Sequence, residues 1–347
     1  METVMDARKK RIMDLRRGPR GFTLIELLVV VSVIALLIGI LVPSLGAARR
    51  EAQAVACAAF QKQLITGLSG FVGDNQEQIP GITTTGLPIA NFADIRDALK
   101  WSSESGTRPV QNFDWMSPSV GDSLPSQTGP RFLAILRNYR CPSLNVQIGA
   151  WTAGQSDPGR DEIVQALSLD DELQPTSYLM STFYQYSGGS NAFTGTRYLR
   201  VGLSGGPDGT ATLPRSYFPF VTRIGEPARK IAMSDGLRYF DPATGIVDVD
   251  VSIKASVFGS FTHGAMFVKD KSLGRDADLP RRRNLPLSYR HGKLEMNAAY
   301  FDGHVERLSD DTSRNPTYWF PRGARLGSAS NLDPRCLSYQ PAFSLVE

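Results

Sequence analysis

Few side chains in this sequence have a type and spacing that suggest chemistry, and the first is Glu26. It is a carboxylate at the fifth position of an apolar stretch that runs from Phe22 to Leu45 with no other charge. In a membrane span a carboxylate costs about 2.5–3.5 kcal/mol at the helix centre and less toward an end, so it asks for a cationic partner. The second group comprises the histidines, His263, His291 and His304. His291, His304 and Asp302 are candidate metal ligands. The simpler reading is a turn-forming aspartate beside surface histidines. There is no HExxH, no paired CxxC and no dense Asp/Asn loop of the calcium type, so neither a metal nor any other cofactor is expected. The third is Gly-Leu-Ser-Gly-Gly at 202–206, which formally matches a nucleophile elbow. Ser204, Asp235 and His291 even fall in the chain order of an α/β-hydrolase triad. That motif needs a following helix, and the residues after Gly206 read as loop. The fourth is the cysteines, Cys57, Cys141 and Cys336. At least one is unpaired, and spacing leaves open a Cys57–Cys141 bridge, a Cys141–Cys336 bridge or free thiols.

These residues need elements to position them. As a helix, the 24 residues from Phe22 to Leu45 would be about 36 Å long, enough to cross a bilayer core of about 30 Å. Residues 1–21 hold seven basic and three acidic side chains, a local +4 equal to that of all 347 residues. The leader therefore marks a cytoplasmic N-terminus, with the bulk of the chain exported. The remaining chain has equal numbers of acids and bases, which argues against a nucleic-acid partner. Its dense basic cluster, Arg281-Arg282-Arg283, sits in a polar loop and reads as solvated. Pro43 should kink or loosen the helix near the membrane exit. Residues 46–73 then continue as an amphipathic half, with Ala52, Ala56, Phe60, Leu64, Leu68 and Phe71 on one face. Gly67, Gly70 and Gly73 signal its end.

Residues 74–347 read as a β-rich head. Candidate strands lie at 228–235, 246–253 and 256–263, and long surface loops at 81–130 and 269–286. Asp302-Gly303 between apolar runs predicts a hairpin. The expected class is α+β: a long N-terminal helix, half in the membrane, packed on an antiparallel sheet.

Three readings fit the opening segment. One is an uncleaved anchor, and another a secretory signal cut within Ser44–Arg49. Neither explains Glu26. The third does: Gly21, then Phe22-Thr23-Leu24-Ile25-Glu26, then the apolar run with Pro43, resembles the start of type IV pilins and type II secretion pseudopilins. The resemblance implies cleavage by a prepilin peptidase between Gly21 and Phe22, N-methylation of Phe22, and an assembly role for Glu26 and Pro43. It also implies an inner-membrane subunit, N-terminus cytoplasmic and head periplasmic, that assembles into a homo- or hetero-oligomeric fibre with secretion or pilus machinery. Such a protein is not an enzyme. The rival class is a membrane-anchored periplasmic hydrolase or binding protein carrying the same signal. The head resembles a bacterial subgroup of these proteins that ends in His, nine residues, then Asp-Gly. Here ten residues separate His291 from Asp302-Gly303, so one strand should carry a bulge. The subgroup resemblance, through Tyr139-Arg140-Cys141-Pro142-Ser143, implies a Cys57–Cys141 disulfide from stalk to head.

Overall fold

A computed structural model describes residues 21–81, 110–111, 113–144, 146–151, 160–170, 173–188, 192–194, 198–200, 210–237, 240–241, 246–250, 261–263, 288–292 and 294–347. The basic leader before Gly21, Ser204, the triplet at 281–283 and the loop predicted at 269–286 lie outside them. The chain divides into two compact units, one ending at Arg49 and the other beginning at Arg50.

In the first unit, helix α1 (Leu24–Asp74) begins, and every residue from Gly21 to Leu45 is exposed. Among the described residues, α1 is the one helix long and apolar enough to cross a membrane. The helix runs through Pro43 rather than ending there. The pyrrolidine ring costs the helix one backbone hydrogen bond and crowds the Gly39 carbonyl four residues back.

In the second unit the alanine-rich half of α1 has high intrinsic helix propensity and packs on the head. The docked face differs from the expected one. Ala54, Cys57, Gln61, Leu64, Ile65 and Leu68 are buried, Ala52 is exposed, and Ala56, Phe60 and Phe71 are half-buried. The reason is geometric. Successive steps of four residues advance about 40° around a helix, so a row spaced strictly by four drifts off a straight seam. The real seam alternates steps of three and four and includes a polar residue, Gln61, that hydrophobicity does not flag. The helix ends at Asp74, one residue past the last of the three glycines that signal its end. Just beyond, Gln76 and Glu77 adopt left-handed backbone (φ 57° and 64°), with the Glu77 amide donating to the Val72 carbonyl.

The head strands are β1 (Gln147–Trp151), β2 (Tyr178–Ser181), β3 (Ala192–Thr194), β4 (Tyr198–Arg200), β5 (Ala211–Thr212), β6 (Ile231–Asp235), β7 (Phe240–Asp241), β8 (Ile246–Asp250), β9 (Thr262–His263), β10 (Glu295–Tyr300), β11 (Val305–Ser309) and β12 (Arg325–Leu326). The central sheet has the order β11-β10-β6-β2-β9. Its pairings are antiparallel except at the edge, where β2 and β9 run parallel. A smaller sheet, β1-β8-β7, also contains one parallel pair. The architecture is thus a long N-terminal helix with a mainly antiparallel sheet, α+β, with parallel pairings that residue patterns alone did not signal. Strand β6 is buried along its whole length, as are all but the first residue of β10, and these are the strands the core is built on.

The predicted hairpin is present, with a different loop. The Tyr300 amide donates to the His304 carbonyl and the Gly303 amide to the Tyr300 carbonyl, leaving Phe301-Asp302-Gly303 as a three-residue loop. Gly303 supplies the positive φ of 93° that this loop type needs at its last position. The expected bulge between His291 and Asp302 is not seen in β10, whose register with β11 is unbroken; the register shift opposite β6 skips Ala232, so the extra residue there belongs to β6.

The loop predicted over 81–130 is partly core. Val110, Phe113, Trp115 and Met116 are buried, and a short helix, α2 (Met116–Val120), follows Asp114. The buried Asp114 carboxylate organises it by accepting from the amides of Val110, Met116 and Ser117. Helix α3 (Thr128–Asn138) then leads to the Cys141 turn.

Gly67 explains how closely the stalk docks. A Cβ there would lie 1.8 Å from the Ser119 carbonyl oxygen of α2, whereas one at Gly70 would meet nothing within 4 Å. Gly67→Ala should therefore destabilise the segment from Arg50 onward by about 1–3 kcal/mol, because backbone must move. Gly70→Ala should stabilise it by about 0.5–1 kcal/mol through helix propensity. Denaturant unfolding of the two variants checks the contrast.

Candidate functional site

Two places concentrate functional side chains. The first is the start of α1. Thr23 precedes the first helical residue, and Glu26 stands three residues on. The Thr23 amide and hydroxyl both donate to Glu26 Oε2, at 2.9 and 2.8 Å. The Glu26 amide donates back to Thr23 Oγ1 at 3.2 Å. This is a reciprocal capping box, which satisfies amides that the first turn of a helix otherwise leaves without partners. Its signal, Thr-x-x-Glu before an apolar run, is present in the sequence beyond the residues singled out above. It gives Glu26 a role inside its own subunit. A cut between Gly21 and Phe22 would leave the Thr23 amide intact, so the box would survive processing.

The second place is the seam between the outer half of α1 and the head. Asp235 ends β6 and is wholly buried. Its Oδ1 accepts from the Cys57 thiol at 2.9 Å and from Gln61 Nε2 at 3.1 Å. Its Oδ2 accepts from the Asn297 amide at 2.8 Å and faces His291 Nε2 at 3.1 Å. Gln61 also donates to the Asn297 carbonyl, and Asn297 Nδ2 to the Ala54 carbonyl, at 3.1 and 2.9 Å. One carboxylate thus links helix, sheet and loop.

Local structure aims each of these groups. Cys141 opens a turn closed by the Leu144 amide on the Cys141 carbonyl, with Pro142 at the position whose fixed φ suits it. The Cys141 amide donates to Ser177 Oγ, and its sulfur lies 3.0 Å from Ser143 Oγ and 3.6 Å from His291 Nε2. His291 and Glu295 exchange both backbone hydrogen bonds around a tight turn, in which Gly292 and Leu294 take positive φ. This turn fixes the ring inward, where it is 1% exposed.

Electrostatics follow from this crowding. The Cys57 thiol donates to Asp235 and lies beside the Cys141 sulfur. Hydrogen bonding from Cys57, aided by His291 and by the positive field of Arg290, holds Cys141 well below the ordinary thiol range despite its burial. Burial first, then the neighbouring Cys141 and Asp235, push Cys57 well up. Burial opposes charge on His291, but its contacts with Asp235 and Cys141 outweigh that and hold the ring up to about 9.

The structure separates residues that the sequence grouped and groups residues that it separated. His304 stays at the hairpin, with Nδ1 2.6 Å from Asp302 and its ring stacked on Tyr300, and both His304 and Asp302 are partly exposed. His291 turns instead to Asp235 and Cys141. Asp235 and His291, two members of the formal hydrolase order, do meet, but their partners are cysteines. The implied Cys57–Cys141 bridge is not formed. Both residues join the same buried cluster as free thiols, and Cys336 is free and buried. The His263 side chain lies outside what is described.

Around the cluster, exposed polar contacts fasten the stalk. Arg307 pairs with Glu51 at 2.7 and 3.2 Å, and Lys62 donates to the Gly303 carbonyl at 2.7 Å. The Gly303 carbonyl thus ties the hairpin turn to the helix, while the glycine itself is required by the turn's positive φ.

With this geometry established, comparison with known proteins adds one finding. Residues 16–42 match the prokaryotic N-terminal methylation motif. That match ends at Val42, one residue before Pro43, and spans Gly21, Phe22, Thr23 and Glu26. No curated protein and no solved structure matches the chain. The chain is thus a membrane-anchored α+β protein. It carries a prokaryotic methylation signal of the prepilin type at the head of its apolar helix.

The capping box predicts a measurable local effect. Thr23→Ala should cost about 1 kcal/mol at the helix start and accelerate amide hydrogen exchange at residues 24–27 in detergent micelles. Glu26→Gln, which can still accept from the Thr23 amide, should change that exchange much less.

Proposed function

We propose that this chain is a pilin-like or pseudopilin-like structural subunit. A prepilin peptidase cuts between Gly21 and Phe22, and the new amine of Phe22 is methylated. The subunit waits in the inner membrane, with its N-terminal end cytoplasmic and its head periplasmic, and then packs with copies or relatives into a fibre. That fibre serves a type II secretion machine or extends as a type IV pilus-like filament. The protein acts by assembly and not by catalysis.

The observation that carries this reading is the methylation motif at residues 16–42, set at the start of a helix whose apolar surface is exposed from Leu24 to Leu45. An exposed apolar surface of that length needs lipid or neighbouring helices to cover it. Glu26 supports it further. A buried carboxylate is tolerated when paired, and cleavage creates a cationic amine four residues before Glu26. Within a subunit the capping box occupies only the hydrogen-bonding capacity of that carboxylate. Its charge remains available to a neighbour's amine, which would set the register between stacked helices. The docked outer half of α1, held by Gln61, Asn297 and Arg307, supports a stalk that carries its head rigidly.

Glu26→Gln separates the two roles, because it preserves the cap while removing the charge. It should insert normally and be processed, yet reduce sheared fibre by at least about tenfold. Fibre yield at the wild-type level would sink the ionic role in assembly. Mass spectrometry of the mature protein should find methylated Phe22 as the first residue. A first residue at Met1 would favour an uncleaved anchor, and one near Ala47 a secretory signal.

A further inference from the structure

We propose that Cys57, Cys141, Asp235 and His291 form a closed, four-coordinate site for one zinc-class divalent cation that ties the stalk helix to the head. This inference goes beyond the fibre-subunit reading and does not depend on it. Each of the four residues offers one ligand atom, these atoms all lie within 4.8 Å of one another, and all four residues are buried. They come from four separate places: α1, the turn after α3, the end of β6 and the bridge before β10.

The dimensions suit a small tetrahedral ion. With metal–sulfur bonds of about 2.3 Å and metal–nitrogen or –oxygen bonds of about 2.0–2.1 Å, the sulfur–nitrogen edge is about 3.6 Å and the nitrogen–oxygen edge about 3.3 Å. The corresponding separations here are 3.6 Å for Cys141 Sγ to His291 Nε2 and 3.1 Å for His291 Nε2 to Asp235 Oδ2. Cys57 Sγ instead lies 2.9 Å from the other carboxylate oxygen, Oδ1, because a thiol proton bridges them. A cation bound through Oδ2 would replace that proton and leave Oδ1 to the Gln61 amide. Binding would release the protons of the Cys57 thiol and of His291 Nε2 to solvent.

The pattern of convergence distinguishes a metal site from a nucleophile. In a thiol–imidazole–carboxylate triad, sulfur and carboxylate use different ring nitrogens. Here both meet the same one, Nε2. A single proton on Nε2 serves one partner, whereas a cation between the groups serves all. Burial of all four groups also denies a substrate access. The surroundings are those of a ligand set held in place. Gln61 and the Asn297 amide orient Asp235, the Tyr178 hydroxyl donates to Cys57 Sγ at 3.5 Å, and Ser143 Oγ lies against Cys141 Sγ. Two thiolates and a carboxylate together are a heavy buried charge. A divalent ion, with Arg290 nearby, offsets most of it. Two sulfurs, a nitrogen and an oxygen favour zinc over calcium or magnesium, and four protein ligands leave no open position, so the ion would be structural. A Cys57–Cys141 disulfide would use the sulfurs but leave Asp235 without the Cys57 donor.

The test uses the full chain in detergent micelles, purified under mild reduction, with metal content, cobalt substitution and non-reduced peptide mapping. Expected are about one zinc or one added cobalt per chain, and thiolate-to-cobalt charge-transfer bands with tetrahedral d–d bands. A chelator should lower the thermal midpoint, and zinc should restore it. Cys57→Ser and His291→Ala should reduce bound metal at least about tenfold, while Cys336→Ser and His304→Ala leave it unchanged. Because core variants can misfold, the wild-type cobalt spectrum decides independently. Cobalt bound without thiolate bands, or lost on His304→Ala, would overturn the site. So would a Cys57–Cys141 disulfide that forms in place of metal binding.

Discussion

Much of the described head depends on satisfying one buried carboxylate. Asp235 has no contact with water, and each of its oxygens must find partners within the protein. The donors that meet it are a thiol and an amide side chain from the stalk, a backbone amide of β10 and a ring nitrogen from the loop before β10. None of these elements can shift without stranding an acceptor in the core. The constraint selects a single docking of helix on sheet, where apolar contacts alone would tolerate sliding by a turn. Gly67 adds a steric limit at the other end of the seam, where the helix backbone approaches the Ser119 carbonyl.

The two halves of α1 solve opposite problems with one kind of structure. The first half presents apolar side chains outward and has one carboxylate, whose hydrogen bonds are met locally by Thr23. The second half turns a narrow, partly polar stripe inward. The helix is continuous through Pro43. A helix that is apolar on every side and then amphipathic suits a chain anchored in lipid that also carries a folded head.

Legibility differed sharply between these parts. The apolar span, its single charge, the methylation signal and the Asp-Gly hairpin are local patterns, and each is visible within about thirty residues of sequence. The capping box is equally local, although the position of its carboxylate in an apolar span points first to an intermolecular role. The docking face was half right: Leu64 and Leu68 belong to it, whereas Ala52 lies outside, because residue hydrophobicity underrates Gln61 and Cys57. The stretch around Phe113–Met116 reads as loop in the sequence, since its core role depends on Asp114 accepting from amides that no periodicity announces. The parallel pairing of β9 with β2 joins strands some eighty residues apart, beyond any local signal.

The sequence by itself determined the membrane-length helix, the signal at its head and the carboxylate that both caps it and carries charge. These follow from hydrophobicity and hydrogen-bonding types read over one or two turns. Only the tertiary structure decided that Cys57, Cys141, Asp235 and His291 are neighbours, and that His291 parts company with His304 and Asp302. Their proximity results from strand register, a tight left-handed turn at Gly292–Leu294 and the rotation of α1 about its axis. Each of these is set by long-range packing, and a change of one residue in any of them would point a different side chain into the core.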